Sequence, residues 1–590
     1  MFTTRPTLRG TFGMVSSTHW LASQSAMAVL EDGGNAFDAA VAAGFVLHVV
    51  EPHLNGPAGE VPILLAPAGG DVRVLCGQGP APAGATIGHY RSLGLDLVPG
   101  TGPLAAAVPG AFDAWMLLLR DHGTKSLAEA LRHAVEYAEQ GHPPVERIAA
   151  TVETVRALFE DEWTSSADVY LPGGRPPAPG ELLRNPALAR TWRRLLDEAT
   201  ATAAPGDRVG QIEAARRIWR TGFIAEALVR QAARPTLDTS GARHTGTLTA
   251  ADLAAWTATY EAPATYDWNG WTLCKAGGWS QGPVFLQQLA LLPAEPPAHG
   301  SADYVHLLIE GSKLAMADRE AWYGDAADVP LGDLLSEPYN ARRRALIGER
   351  ASYALRPGGP GGRTPVLPSH ATAGAPRVPA PAGAGEPTVA HDGATRGDTC
   401  HVDVVDRWGN MVAATPSGGW LQSNPVVPEL GFPLGTRLQM AWLEPGLPNS
   451  LTPGRRPRTT LTPSLALRDG VPVMAFGTPG GDQQDQWQLH FFLAVAHGGL
   501  DLQAAIDAPN WHHESVPSSF YPRAMRPGAV TVESRTDPAV VDGLRRRGHD
   551  VTVGGPWSEG RLCAVARDPR TGVLSAAANP RGMQGYAVGR

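Results

Sequence analysis

An α+β fold is predicted for this 590-residue chain from three observations. Helix-period stretches dominate the first part, with Ala36–Val50 and residues 304–322 as the long cases. After about forty residues made mostly of Pro, Gly and Ala, the chain turns at Thr399 into alternating and β-branched runs. A strand-to-helix turn, Gly477-Thr478-Pro479-Gly480-Gly481, then opens a helical segment that runs through Ala496.

Taken in order, residues 23–32 read as a helix stopped by Gly33-Gly34, with Asn35 placed to cap the next one. That next helix, Ala36–Val50, carries almost no charge, as a buried layer requires. The run from Glu51 to Glu60 breaks it, and residues 61–65 and 72–75 read as paired strands. Helices and connections fill most of 109–256; Trp271–Lys275 reads as a strand, and residues 285–292 and 304–322 as helices. Residues from about 356 to 398 read as a mobile Pro/Gly/Ala-rich tail, and those from Thr399 to Asp482 as mostly strands.

A net charge of -8 and the lack of a basic stripe argue against a nucleic-acid partner. Four scattered cysteines, with no CxxC and no His spacing suited to zinc, indicate neither a disulfide framework nor a metal site, and no cofactor is expected. The His512-His513 doublet is not read as a ligand pair, because neighbours on a strand point opposite ways. No apolar stretch follows the basic N-terminal residues and no membrane span is visible, so a cytoplasmic protein is expected.

Chemistry concentrates at Thr399. Residues 401–406 and 411–415 flank a turn at Arg407-Trp408-Gly409-Asn410, which makes a hairpin whose first strand opens at Thr399. If the bond between Asp398 and Thr399 is cut, Thr399 gains an α-amine of pKa near ~8 beside its own hydroxyl, so nucleophile and base share one residue. The same residues also suit an ordinary loop-to-strand junction, since Thr is a common strand residue. Gly480 and Gly481 are placed to aim backbone N–H groups at an oxyanion, and equally to make a tight turn.

Together these segments resemble the gamma-glutamyltransferase family of N-terminal-nucleophile hydrolases. The resemblance is carried by Gly33-Gly34-Asn35-Ala36-Phe37-Asp38-Ala39-Ala40-Val41-Ala42, Val108-Pro109-Gly110, the helix ending in Ala317-Asp318-Arg319, Asp398-Thr399-Cys400-His401, Gly477 to Gly481, and Ala508-Pro509-Asn510-Trp511-His512-His513. It implies a four-layer αββα sandwich, and self-cleavage into a large subunit, 1–398, and a small subunit, 399–590, entwined in one domain. It further implies Thr399 as nucleophile, Ser417 bonded to it, Gly480 and Gly481 as oxyanion donors, and Thr459 and Thr460 in the place of a serine pair that holds the substrate carboxylate.

The departures concern the amino-acid grip. The family arginine for the α-carboxylate falls at Gln78, the acid for the α-amine near Met440, and a nearby asparagine at Gly419. With Trp420 and Trp442 this implies a less polar pocket, in which Arg437 is available to an acid placed differently. The expected activity is hydrolysis of an amide or related acyl bond in a small non-γ-glutamyl molecule, with a role in secondary-metabolite biosynthesis. The alternatives are a carbon-carbon bond hydrolase of an alkylproline-type antibiotic pathway, a true γ-glutamyltransferase, and an inactive relative that acts as a binding protein.

Overall fold

The computed structural model describes residues 2–178, 180–326, 328–372 and 399–590. Two seven-stranded antiparallel sheets form its centre. In one the order is Tyr586–Gly589, Gly13–Ser17, Val402–Asp406, Met411–Ala414, Val61–Ala66, Arg73–Gly77, Thr259–Glu261. In the other it is Leu8–Gly10, Leu574–Ala578, Cys563–Arg567, Val471–Gly477, Ser464–Arg468, Trp271–Lys275, Ala264–Trp268. Each sheet mixes strands from before and after Thr399, so neither part of the chain holds a complete sheet.

The period-2 alternation decides the layers. Met14, Leu64, Val74, Val405, Met411 and Ala413 of the first sheet pack against Leu465, Ala475, Val565 and Ala576 of the second. The alternate residues face outward: Val402, Val404, Val412, Ile63 and Leu65 meet helices that include Trp20–Glu31, Ala36–Val50 and Ala111–His122. Ala466, Met474, Phe476 and Ala564 meet Pro283–Ala290, Ala302–Trp322 and Gln484–Ala496. With both faces of both sheets covered, the fold is a four-layer αββα sandwich.

Local chemistry explains the element ends. Asn35 caps Ala36–Val50 in a reciprocal box with Asp38, and every residue of that helix is buried. Gly44 lets Trp115 cross it, since a Cβ there would stand 2.5 Å from the indole.

Two expectations need correction. Among the described residues, 415–463 hold no strand, only isolated bridges and the short 3-10 turn Arg437–Met440. Pro and Gly recur there, and backbone groups bond distant loops instead of a ladder, as Leu421 N–H does to Pro52 O. The segment read as a tail is anchored at its start. Gly358 N–H donates to Asp318, Trp322 Nε1 donates to Gly358 O, and Ser369 donates to Glu444. The rest of that segment, 373–398, lies outside the described residues.

Candidate active site

Thr399 lies where the chain enters the first sheet, three residues before the strand Val402–Asp406. A single antiparallel bridge joins it to Ser417, and its Oγ1 donates to Ser417 Oγ at 3.3 Å. Both residues are 1% exposed. Ser417 Oγ in turn accepts from Arg437 Nη2 at 3.0 Å, and Arg437 is ion-paired with Glu60. The result is a buried line, Glu60 to Arg437 to Ser417 to Thr399, that fixes the hydroxyl of the last by charge-assisted bonds from the first. Burial pushes the Glu60 carboxyl up, and Arg437 opposes that shift.

Glu60 escaped the sequence reading. Its only signal there is a lone acid closing the Gly-Pro-rich run before the apolar strand Val61–Ala66. The contact needs Gly418, at φ +75°, because a Cβ there would stand 2.6 Å from the Glu60 carboxylate. Gly419, also left-handed at φ +63°, carries the chain on to Trp420. Arg437, read as available to an outside acid, is therefore spent inside the protein. It is bonded to Glu60, Ser417 and Met440 Sδ (3.4 Å) and lies 5.4 Å from the Trp420 ring centre. Trp420, Met440 and Phe520 form a small buried apolar cluster beside it. The surroundings of Ser417 are thus part apolar and part a closed ion pair, not uniformly less polar.

The strand Val471–Gly477 of the facing sheet delivers the glycine turn to the same end of the sandwich. Gly477 passes over His401, where a Cβ would stand 2.2 Å from the ring. Gly480, at φ +133°, leaves room for Trp487, whose ring would lie 2.1 Å from a Cβ. Gln281 Nε2 donates to Gly481 O at 3.1 Å, and Arg319 holds both Gln281 Oε1 (2.8 Å) and Asp482 (2.5 Å). Among the described residues no acceptor is bonded to the N–H of Gly480 or Gly481, so this braced turn leaves two backbone donors without an internal acceptor.

The remaining expected residues divide. Thr460 Oγ1 is buried without a partner, while Thr459 Oγ1 accepts from Leu461 N–H at 3.3 Å. Gln78 is buried, with Nε2 on Gly79 O (3.3 Å) and Oε1 unpartnered. Asp398 lies outside the described residues. Cys400 faces away from this line, with its Sγ 2.9 Å from Glu51, and burial and Glu51 push its thiol well up. His306, Glu310 and His549 bring ligand atoms within 4.8 Å of one another. They are already engaged: His306 bonds His549 and Gly348 O, and Glu310 pairs with Lys313 and Arg356.

The gamma-glutamyltranspeptidase profile matches residues 22–589. The chain belongs to the gamma-glutamyltranspeptidase family. It is accordingly an N-terminal-nucleophile hydrolase, of a family whose self-processing members act on amide bonds. The solved structure of LmbA2991HD is 79% identical, with a TM-score of 0.96 over 100% of both chains. A cephalosporin acylase from Bacillus halodurans is 27% identical, with a TM-score of 0.82 over 100% of this chain and 97% of its own. The oxamate amidohydrolase proenzyme of Klebsiella pneumoniae is 31% identical over 98% of each chain. No helix among the described residues is long and apolar enough to cross a membrane.

Proposed function

We propose that this family member cuts itself between Asp398 and Thr399 and then hydrolyses an amide or related acyl bond of a small non-γ-glutamyl molecule. In the first step Thr399 Oγ1 attacks the Asp398 carbonyl carbon and the peptide C–N bond breaks, which leaves an ester and a free α-amine. Water then hydrolyses the ester, and Asp398 departs as a carboxylate. In turnover the α-amine takes the Thr399 hydroxyl proton as Oγ1 attacks the substrate carbonyl, and passes it to the leaving nitrogen. Ser417 orients the hydroxyl, the N–H groups of Gly480 and Gly481 hold the oxyanion, and water releases the acyl group. Two subunits, 1–398 and 399–590, remain as partners in one sandwich, and a secondary-metabolite role in the cytoplasm fits this reading.

The observation that carries the specificity is the Arg437–Glu60 pair. A γ-glutamyl zwitterion needs one cation for its carboxylate and one anion for its ammonium, each left without a mate until the ligand arrives. Here Gln78 offers no charge, Met440 offers a thioether, and the cation and anion next to Ser417 have already neutralised each other. Binding a zwitterion would require breaking that buried pair. Relatives named as a cephalosporin acylase and an oxamate amidohydrolase favour an amide over a carbon-carbon bond.

The test is kcat/KM of the processed protein on a γ-glutamyl anilide beside a panel of other acyl amides. Polar recognition of this kind is worth about 10⁴-fold, so the γ-glutamyl compound is expected to trail by orders of magnitude. If it leads the panel, the chain is an ordinary glutathione-hydrolysing member.

A further inference from the structure

On the Cys400 side of the nucleophile's segment the chain buries a guanidinium with no hydrogen-bond partner. Arg561 is 1% exposed, yet its Nε and both Nη groups lack a hydrogen-bond partner. Its backbone N–H donates to Thr478 Oγ1 at 2.8 Å, which ties it to the turn that leads into Gly480 and Gly481. Its side chain runs over Gly582, where an added Cβ would stand 3.3 Å from Arg561 Cδ and 3.6 Å from an Nη of Arg147. Two guanidinium-bearing side chains therefore lie beside Gly582.

His53 faces both, buried and with neither ring nitrogen bonded. His19 adds a further unbonded Nε2. Burial pulls both rings well down, and Arg561 and Arg147 add to this at His53, so each is a neutral ring with an N–H to offer. The carboxylate of this cluster, Glu51, is engaged elsewhere, accepting from Thr18 Oγ1 (2.7 Å), Cys400 Sγ (2.9 Å) and Gln584 Nε2. The loop that carries Glu51 and His53 also braces the segment after Ser417, since Pro52 O, His53 O and Leu54 O accept from Leu421, Gln422 and Trp420. The cluster thus reaches the nucleophile's segment through Cys400 and Trp420, and the glycine turn through Thr478.

Leaving the buried N–H donors of a guanidinium without acceptors is costly in a protein interior, and the planar fork matches a carboxylate. We propose that Arg561, with Arg147 and His53, is a carboxylate-binding subsite, and that the substrate bears a carboxylate distinct from the acyl group that Thr399 attacks. This rests on the acyl-hydrolase reading above. It relocates the anion grip from position 78 to a cation that, unlike Arg437, has no carboxylate hydrogen-bonded to it, Glu51 acting on it only through space.

Processed wild-type protein is titrated calorimetrically with oxalate, malonate and succinate, and with sulfate at matched ionic strength. The expected result is saturable 1:1 binding of at least one dicarboxylate with Kd of roughly 1 mM or tighter. Arg561→Gln should weaken it by more than about tenfold, and Arg561→Lys, which keeps the charge and is the arm that survives if the first variant does not fold, by about tenfold through loss of the fork. Undiminished binding in either variant, sulfate binding as tight as the best dicarboxylate, or no saturable wild-type binding by about 10 mM overturns the subsite. Because binding is read without turnover, a protein that holds dicarboxylates through Arg561 yet hydrolyses no acyl amide would refute the enzymatic reading alone.

Discussion

Replacing Glu60 with Gln keeps the shape of the site but leaves the Arg437 guanidinium buried without its counter-ion. Both side chains are nearly fully buried, at 5% and 1% exposure, so solvent screens little of the loss, and breaking such a pair costs about 3–5 kcal/mol. Unfolding entropy for a chain of this length is roughly 1.2 kcal/mol per kelvin, so the thermal midpoint of Glu60→Gln should fall by roughly 2–4 °C. Arg437→Met leaves the opposite orphan, but a carboxyl can take up a proton. Burial already raises Glu60, and removing Arg437 raises it further, so this variant should be steadiest at low pH and lose stability as pH rises through the raised folded value. The double variant Glu60→Gln/Arg437→Met carries no charge there and should recover most of the midpoint. Differential scanning calorimetry of the four proteins at pH 7 closes the cycle. Additive single effects, or an unchanged midpoint in Glu60→Gln, would refute the idea that the two side chains neutralise each other in a closed site.

Thr399→Ala should run as one intact band on a denaturing gel and show no turnover, whereas Ser417→Ala should still cut and lose mainly kcat; substantial activity in Thr399→Ala would move the search for the nucleophile elsewhere. Gly480→Ala forces a Cβ to within 2.1 Å of Trp487 at a φ of +133° and should lower kcat by about 10²–10³-fold, the usual loss of one oxyanion donor, with little change in KM. Asp403 is fully buried, and burial raises its carboxyl to about 6 despite His401. A raised folded value favours the protonated native state, so its contribution is fully present below about pH 4 and lost as pH rises towards 6. In Asp403→Asn the thermal midpoint should lack that decline between pH 4 and 6, and an unchanged pH profile would show that the group does not titrate there.

Much of the sandwich was legible in the residues, because the signals that build it are local. Asn35 and Asp38 cap a nearly charge-free helix within one turn, and the alternation in Val402–Asp406 and Met411–Ala414 decides which side chains face which layer. The glycines of the turn at 477–481 read as an oxyanion-binding or tight turn, and only the fold shows that His401 and Trp487 pass against them. Residues 415–463 misled, since their apolar content resembles strand while their backbone groups bond side chains and distant loops that only the fold brings near. Glu60 and Arg437 stand 377 positions apart, and no periodicity links a lone acid in a Gly-Pro loop to a lone arginine in another. Arg561 shows the same limit from the other side. As a letter it is one of many arginines, and only packing shows that the hydrogen bonds of Glu51, which acts on it by charge, go to Thr18, Cys400 and Gln584. Backbone propensity and hydrophobic alternation act over a few residues and can be read in one dimension, whereas pairing of buried charges depends on which distant loops the two sheets bring to one end.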